Sequence, residues 1–460
     1  MNETACIVLA AGDGKRMRSD KPKVLMNVLF EPMLGWVLDS VEEINPDEIC
    51  VVVGNGEEQV RAYLETRGRL CSVVRQTERK GTGHAVMQAE NVLRNSKSVL
   101  VLCGDAPFID AGTINAALKI HNEGHCGVTV IAAVPDDPFG YGRIVRDTNG
   151  DLLRIVEQKD ADENQRSIGE INSGAYWFDS AALLEALPML MNDNAAGEYY
   201  LTDAVSVIRK SGRRAAVCTA ENKYIVLGAN SRADLTVLNN YAREKIINEL
   251  MLEGVEFPCT DGIIIGKNVE IGRDTVILPN TVIRGKCRIG CGCEIGPNSL
   301  LEDTTAGDGV ILNNVQSYQS VVESGAHIGP FSQLRSGSHI GRNVKIGDFV
   351  EIKNSNIGEK TSAAHLTYIG DSDVGRGVNF GCGCVTANYD GIHKFRTKIG
   401  DDAFIGCNTN LIAPVEIGDN AATGAGSTIT ENVPSNALAV ERAGTRIIDD
   451  WEMNKKRPRK

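Results

Sequence analysis

The sequence predicts an α/β protein in three stretches: an N-terminal Rossmann-like domain, a connecting helix, and a C-terminal parallel β-helix of hexapeptide repeats. Three observations predict it. Residues 1–229 alternate apolar strand runs with segments of helical spacing, the pattern of βαβ units around a mostly parallel sheet with helices on both faces. Residues 230–254 carry apolar side chains at three- and four-residue steps, the spacing of one helix face. Within residues 255–460 three long runs return an apolar residue mostly every six positions, which is the signature of a parallel β-helix.

The N-terminal strands are Cys6 to Ala10, Glu48 to Gly54 and Ser98 to Asp105, with helical spacing between them at Val37 to Ile44 and His84 to Leu93. In such sheets ligands bind beyond the carboxyl ends of the strands, so the loops after strands are the places to search. The connecting helix is spelled by Leu235, Leu238, Tyr241, Ile246, Ile247 and Leu250, and Gly254 supplies its stop. The repeat runs through Ile265, Ile271, Ile277, Ile283, Ile289, Ile295 and Leu301. A second register holds Val310, Val322, Ile328, Leu334, Ile340, Ile346 and Ile352, and a third holds Ile399, Ile405, Leu411, Ile417, Thr423 and Ile429. A period of six is neither helical nor a plain strand alternation. Each hexad is a short strand and a turn, and three close one triangular coil with the aliphatic residue inside. The phase slips at Ile357 and Val374 and is lost between Thr386 and Lys398. Breaks in a rule otherwise obeyed are where function is expected.

A chain of 460 residues is too long for one compact core. Its net charge of -12 excludes a general nucleic-acid binder, while leaving room for a local basic groove that takes a phosphorylated substrate. No apolar run approaches the roughly 20 residues of a membrane span, and Met1-Asn2-Glu3-Thr4 lacks the basic start of a signal peptide. The expected setting is the cytoplasm, with neither nucleic acid nor membrane as partner. Thirteen scattered cysteines, an odd number, read as reduced thiols. Cys291-x-Cys293 and Cys382-x-Cys384 are too closely spaced for a usual zinc pair and read as small residues of the repeat. The basic run Lys455 to Lys460 reads as a solvated tail.

The loop after the first strand is Leu9-Ala10-Ala11-Gly12-Asp13-Gly14-Lys15-Arg16-Met17, followed by Lys21-Pro22-Lys23. Its glycines let backbone N–H groups converge on a phosphate, and Arg16 and Lys23 add positive charge beside it. It is neither the dinucleotide fingerprint nor a Walker loop. Further motifs follow in order: Gln76 with Gly81-Thr82-Gly83, Gly104-Asp105-Ala106-Pro107, Gly140-Tyr141-Gly142-Arg143, Val156-Glu157-Gln158, Glu170-Ile171-Asn172-Ser173-Gly174, and Glu198 to Asp203. The set resembles the nucleotidyltransferases that join a sugar 1-phosphate to a nucleoside triphosphate. With the hexapeptide half, nearly the whole chain is similar to the bacterial family of bifunctional N-acetylglucosamine-1-phosphate uridylyltransferase / glucosamine-1-phosphate N-acetyltransferases.

That resemblance implies a nucleotidyltransferase (pyrophosphorylase) domain, a left-handed hand for the β-helix, and a homotrimer with the acetyl-transfer site between subunits. It implies that Leu9, Ala10, Ala11, Gly12, Gln76, Gly81 and Thr82 hold UTP, with Arg16 and Lys23 on its phosphates, Cys103 and Gly104 against the nucleotide, and Asp105 and Asn230 as ligands of Mg2+. Gly142, Glu157 and Asn172 would grip N-acetylglucosamine 1-phosphate. In the second half His365 would be the base, since an amine must lose a proton to attack a thioester and imidazole titrates near neutral pH. Glu351 would orient it. Arg335, Lys353, Tyr368 and Asn379 would surround glucosamine 1-phosphate, and Cys382, Asn388, Tyr389, Lys394, Cys407, Ala425 and Arg442 would face acetyl-CoA or its acceptor. The chain departs from the family pattern at Cys103, often tyrosine, at Cys382, usually alanine, and at Cys407, usually serine. If acetyl-CoA is held there by backbone groups, the cysteines are tolerated; if the hydroxyl serves the oxyanion, transfer is slower. Two other readings stay open. One is a uridylyltransferase whose β-helix only regulates or trimerises. The other is a zinc-dependent β-helix using His327, His339, His365 and His393, among which no close ligand pair occurs.

Overall fold

The computed structural model describes residues 2–12, 14–148 and 150–451, so the basic run Lys455 to Lys460 lies outside the described residues. The chain forms two compact units, Met1–Ala242 and Arg243–Lys460. The division falls within one long helix, Arg232–Leu252, and Gly254 follows it with φ +93°.

The first unit is a mixed sheet between two layers of helix. From edge to edge its strands are Arg214–Thr219, Cys126–Ala133, Ile171–Asp179, Ser96–Cys103, Asn2–Ala10, Glu48–Val53 and Ser72–Arg75. All main-sheet pairings are parallel except those of Ile171–Asp179, which runs antiparallel to both neighbours. Alternation along each strand divides the side chains between two cores. Ile7, Val52, Val101 and Val130 face one side with helix Leu201–Lys210, while Val8, Val51, Leu102 and Ile131 face the other with helices Met33–Ile44 and Ala111–Glu123. Both faces are covered, which is why these strands read as continuous apolar runs. The helical stretch expected from His84 to Leu93 is two short helices, Thr82–Met87 and Glu90–Asn95. Ala89 between them leaves helical geometry at φ -100°, ψ 26°.

Strand Asn2–Ala10 lies between the strand that follows it in the parallel progression, Glu48–Val53, and Ser96–Cys103. The chain therefore moves outward on one side and then returns to the other. At such a reversal the loops leaving adjacent strands part and open a crevice. Here they are Ala11-Gly12 and Gly104-Asp105, fastened at their base by Gly104 N–H donating to Leu9 O at 2.9 Å.

The second unit is a left-handed parallel β-helix whose three faces, among the described residues, hold ten, nine and ten strands. Successive hexads rotate through the faces: Ile265 stacks on Ile283 and Leu301, Ile271 on Ile289, and Ile277 on Ile295. The expected second register is corrected at its start. The inward residue is Leu312, paired with Ile295 and Ile328, while Val310 precedes the strand. Leu301 to Ala306, Leu312 to Ser317 and Ser317 to Val322 are five-residue steps. Three such shortened corners shift the phase by half a period, so Val310 matches Val322 by arithmetic and not by structure. The slips at Ile357 and Val374 are the same kind of short corner. Among the described residues only the thirteen-residue step from Thr386 to Ile399 is an insertion. Polar residues also enter the columns: Ser317 Oγ lies 2.9 Å from Thr304 Oγ1, and Thr386 Oγ1 donates to Gly370 O at 3.1 Å, so neither is buried unpaired.

Ile340 is fully buried between Val322 and Ile357. Truncation to alanine should cost about 2–5 kcal/mol in transfer and cavity terms, whereas alanine at exposed Val321 should stay within about 0.5 kcal/mol. Urea unfolding followed by circular dichroism measures both. Equal losses at the two positions would mean that the column does not carry the stability of the coil.

Candidate active sites

In the first unit the crevice is a cavity of about 480 Å³ lined by Leu9, Ala11, Gly12, Lys23, Gln76, Gly81, Thr82, Cys103 and Asp105, together with Arg79 and Glu198. Lys23 is its electrostatic centre. Its buried ammonium lies 2.5 Å from Asp105 Oδ2 and donates to Asn230 Oδ1 at 2.7 Å. Gly14, with φ +56°, lets Lys23 approach, because a Cβ there would stand 2.8 Å from Lys23 Cβ. A Cβ on Gly12 would meet nothing within 4 Å, so that part of the loop borders open space. Gln76 Nε2 donates to Gly81 O at 3.0 Å, and Thr82 Oγ1 accepts from Leu201 N–H at 3.0 Å. Gly81 has φ +103°, and a side chain there would strike Tyr199 O at 2.5 Å. Arg16 is exposed and lies outside the lining, since its short helical turn Lys15–Met17 puts Met17 inward. Ala10 is buried in its strand.

Beside Cys103 stands a second group of residues. Cys103 Sγ lies 3.6 Å from Gly174 O, and burial pushes its thiol up to about 12. Gly142 O accepts from Asn172 N–H at 2.9 Å, and Asn172 Nδ2 donates to Tyr176 Oη at 2.6 Å. Glu157 accepts from Thr202 Oγ1 at 3.1 Å. Burial raises the Glu157 carboxyl above the usual range, against the opposing Thr202 hydrogen bond, with Asp203 and Asp160 adding to the rise.

In the second unit the expected residues other than Asn379 gather around one corner and the face that follows it. On that face Arg335 and Lys353 follow the inward residues Leu334 and Ile352 of adjacent coils. Tyr368 folds across Gly370, where a Cβ would come within 2.4 Å of the phenol oxygen. The insertion brings Lys394 to Lys353: its ammonium, foremost, and partial desolvation hold Lys353 below the usual lysine range. Two carboxylates of the preceding coil fix the insertion. Asn388 Nδ2 donates to Asp371, and Arg396 grips Asp373 at 2.7 and 2.9 Å. Tyr389 is exposed, with its hydroxyl on Gly391 O at 2.5 Å. Asn379 is exposed on the preceding face.

At the corner, equivalent positions of five coils form a column: Asp348, His365, Cys382, Cys407 and Ala425. Arg442 reaches its end, donating to Ala425 O at 3.1 Å. The expected Glu351–His365 pair is not formed within the chain. Glu351 Oε1 is held by Arg335 at 2.8 Å, and the carboxylate beside His365 Nδ1 is Asp348 at 3.9 Å. The reason is register: Asp348 and His365 are cross-coil partners, whereas Glu351 pairs with Tyr368.

Residues 6–192 match the MobA-like NTP transferase domain, and residues 268–303, 319–354 and 396–431 match the bacterial transferase hexapeptide repeat. Proteins named bifunctional protein GlmU are similar over the full length. That of Acetivibrio thermocellus is 45% identical over 450 residues, covering 98% of this chain and 97% of its own. That of Thermoanaerobacter pseudethanolicus is 47% identical over 451 residues, 98% of each chain. The chain belongs to the bifunctional GlmU family. For a GlmU-family chain, the residues that sequence reasoning passed over are Arg79, Glu198 and Asp348. Glu198 stood inside a quoted motif without a role. Asp348 precedes His365 by seventeen residues, one coil with a short corner, and that spacing was the available signal.

A raised folded-state pKa means that the folded GlmU-family chain binds the Glu157 proton more tightly than the unfolded one. Its contribution to stability is therefore favourable below the unfolded value and falls as pH rises through the raised folded value. Glu157→Gln should accordingly gain melting temperature relative to the parent at pH 7, with the gain shrinking at pH 4. A difference independent of pH in scanning calorimetry would reject the burial assigned to this carboxyl.

Proposed function

We propose that the chain makes UDP-N-acetylglucosamine in two steps. The second unit transfers acetyl from acetyl-CoA to glucosamine 1-phosphate, and the first transfers uridylyl from UTP to the N-acetylglucosamine 1-phosphate formed, releasing pyrophosphate. The observation that carries this reading is the presence of both constellations on one GlmU-family chain: Lys23 between Asp105 and Asn230, and Lys353 with Lys394 on the face that follows the His365 corner.

In the uridylyl step a sugar phosphate oxygen bonds to the α-phosphorus of UTP as pyrophosphate departs. Both reactants are anions, so catalysis is positioning plus charge stabilisation. Asp105 and Asn230 fit a hard divalent cation, because two oxygen donors already converge on one ammonium. Magnesium held by them would supply neutralisation of the leaving pyrophosphate. Lys23, which would yield these oxygens to the cation, contributes a fixed charge beside it. Gly12, Gln76, Gly81 and Thr82 position the nucleotide, and Glu157, Asn172 and Gly142 receive the sugar.

In the acetyl step the amine nitrogen bonds to the thioester carbonyl carbon while its proton passes to His365. The tetrahedral adduct collapses and expels the CoA thiolate. Asp348, the nearby carboxylate, holds the imidazolium that forms. Lys353 and Lys394, two like charges kept together, call for an anion between them, which the sugar phosphate provides. Arg335 joins them by exchanging Glu351 for phosphate. The reading also includes a homotrimer in the cytoplasm. Its support is a ridge of exposed Phe331, Phe349 and Leu366 beside the corner column, with the two rings stacked at 5.4 Å, a patch suited to a neighbouring subunit. Among the described residues no helix is long and apolar enough to cross a membrane.

Incubation with acetyl-CoA and glucosamine 1-phosphate without UTP, read by mass spectrometry, should yield N-acetylglucosamine 1-phosphate. His365→Ala should slow this by about 10²–10⁴-fold, the range of general-base contributions, while uridylyl transfer persists. No product from the folded parent would leave a uridylyltransferase with a regulatory or trimerising β-helix. Separately, chelation with EDTA should abolish uridylyl transfer, restored by Mg2+, and leave acetyl transfer running. Acetyl transfer that also needed the metal would count against assigning magnesium to Asp105 and Asn230 alone.

A further inference from the structure

We infer that Cys382 and Cys407 form a dithiol, oxidised by low-molecular-weight disulfides to a cross-coil disulfide that shuts down the acetyl-transfer corner. The inference rests on the reading that this corner carries acetyl transfer. The two residues hold equivalent positions in adjacent coils: Phe380 pairs with Ile405 two residues before them, and Asn408 N–H donates to Cys382 O at 2.7 Å. Neighbouring parallel strands lie about 4.8 Å apart, inside the roughly 4.4–6.8 Å range of α-carbon separations that a disulfide spans. The Cys407 sulfur leans toward the coil of Cys382, since a Cβ on Gly381 would come within 2.9 Å of it. Cys407 is exposed and Cys382 half-buried, so both are open to a soluble reagent.

The other cysteines of the repeat lack this arrangement. Cys384, the nearest, is buried with its sulfur 3.1 Å from Gly406 O, and burial pushes its thiol up to about 11, which keeps it an inert thiol. Cys291 is exposed at a similar turn, but the matching positions in the coils on either side are Arg273 and Asp308. It has no cross-coil partner thiol. His365 and Ala425 occupy the column positions beyond Cys382 and Cys407, so the pair lies directly next to the proposed base.

The chemistry balances without a further reagent. The Cys407 thiolate attacks one sulfur of a disulfide RSSR and expels RS⁻, leaving a mixed disulfide on Cys407. The Cys382 thiolate then attacks the Cys407 sulfur and expels the second RS⁻. Two cysteine thiols are oxidised, RSSR is reduced to two RSH, and the two protons go to the departing thiolates. CoA disulfide is one such oxidant, and glutathione disulfide is another of the same chemistry.

The full chain is treated in parallel with CoA disulfide and glutathione disulfide at equal concentration. Peptides are then mapped by mass spectrometry after alkylation of free thiols, and both transfer activities are measured. The expected result is a Cys382–Cys407 linked peptide, acetyl transfer reduced by at least about tenfold, uridylyl transfer retained, and recovery with dithiothreitol. Cys382→Ala and Cys407→Ser, each judged against its own untreated rate, should lose the reversible inhibition. Oxidation that links other cysteines, or a Cys382–Cys407 link that leaves acetyl transfer unchanged, overturns the inference. Faster linking by CoA disulfide, suppressed by acetyl-CoA, supports both the dithiol and the placement of the CoA site. Equal rates with no protection by acetyl-CoA keep the dithiol but remove that placement, so the two failures are distinguishable.

Discussion

Each coil of the second unit gives its N–H groups to carbonyls of the next, as Arg335 to Ile352 and Tyr368 to Cys384 at 2.8 and 3.0 Å. The rest of that unit depends on this ladder. It fixes every residue above its equivalent one coil away, so a property repeated in sequence becomes a column in space. The aliphatic columns fill the interior. The corner columns place Asp348, His365, Cys382 and Cys407 in line, although they are widely separated along the chain. Chemistry at the corner thus inherits its geometry from the same hydrogen bonds that hold the fold.

The first unit solves the same positioning problem by reversing the order of its strands. Two loops from adjacent strand ends part around a crevice, and Lys23 and Asp105 meet in it with Asn230, which precedes the long helix. Lys23 holds both oxygen donors, and the bulge at Asn172 to Ala175 in the antiparallel strand turns Asn172 and Gly174 toward Gly142 and Cys103. Because the strands are buried on both faces, these loops rest on a rigid base, as a site that must hold two anions in contact requires.

The strands, the long helix and the three faces were legible because each obeys a period. The errors came where spacing and structure part. Val310 kept the phase without keeping the place, since three short corners intervene between Leu301 and Val322. His84 to Leu93 has the right spacing but not the continuous backbone. In the sites, motif residues such as Gln76, Thr82 and Asp105 line one cavity, whereas the choice between Glu351 and Asp348 beside His365 depends on which residues are cross-coil partners. That pairing follows from the length of every preceding corner, which a six-residue period does not encode.

The insertion between Thr386 and Ile399 leaves and rejoins the solenoid at matching points: Thr386 pairs with Leu411 on one face, and Ile399 with Val374 and Ile417 on the next. Its anchors are the carboxylates of Asp371 and Asp373, which belong to the coil below. The insertion is thus pinned to one earlier coil, while the coils after it keep their register. A loop of different length or chemistry can be exchanged here without shifting any later coil, which makes this corner a port through which one architecture can acquire new specificities.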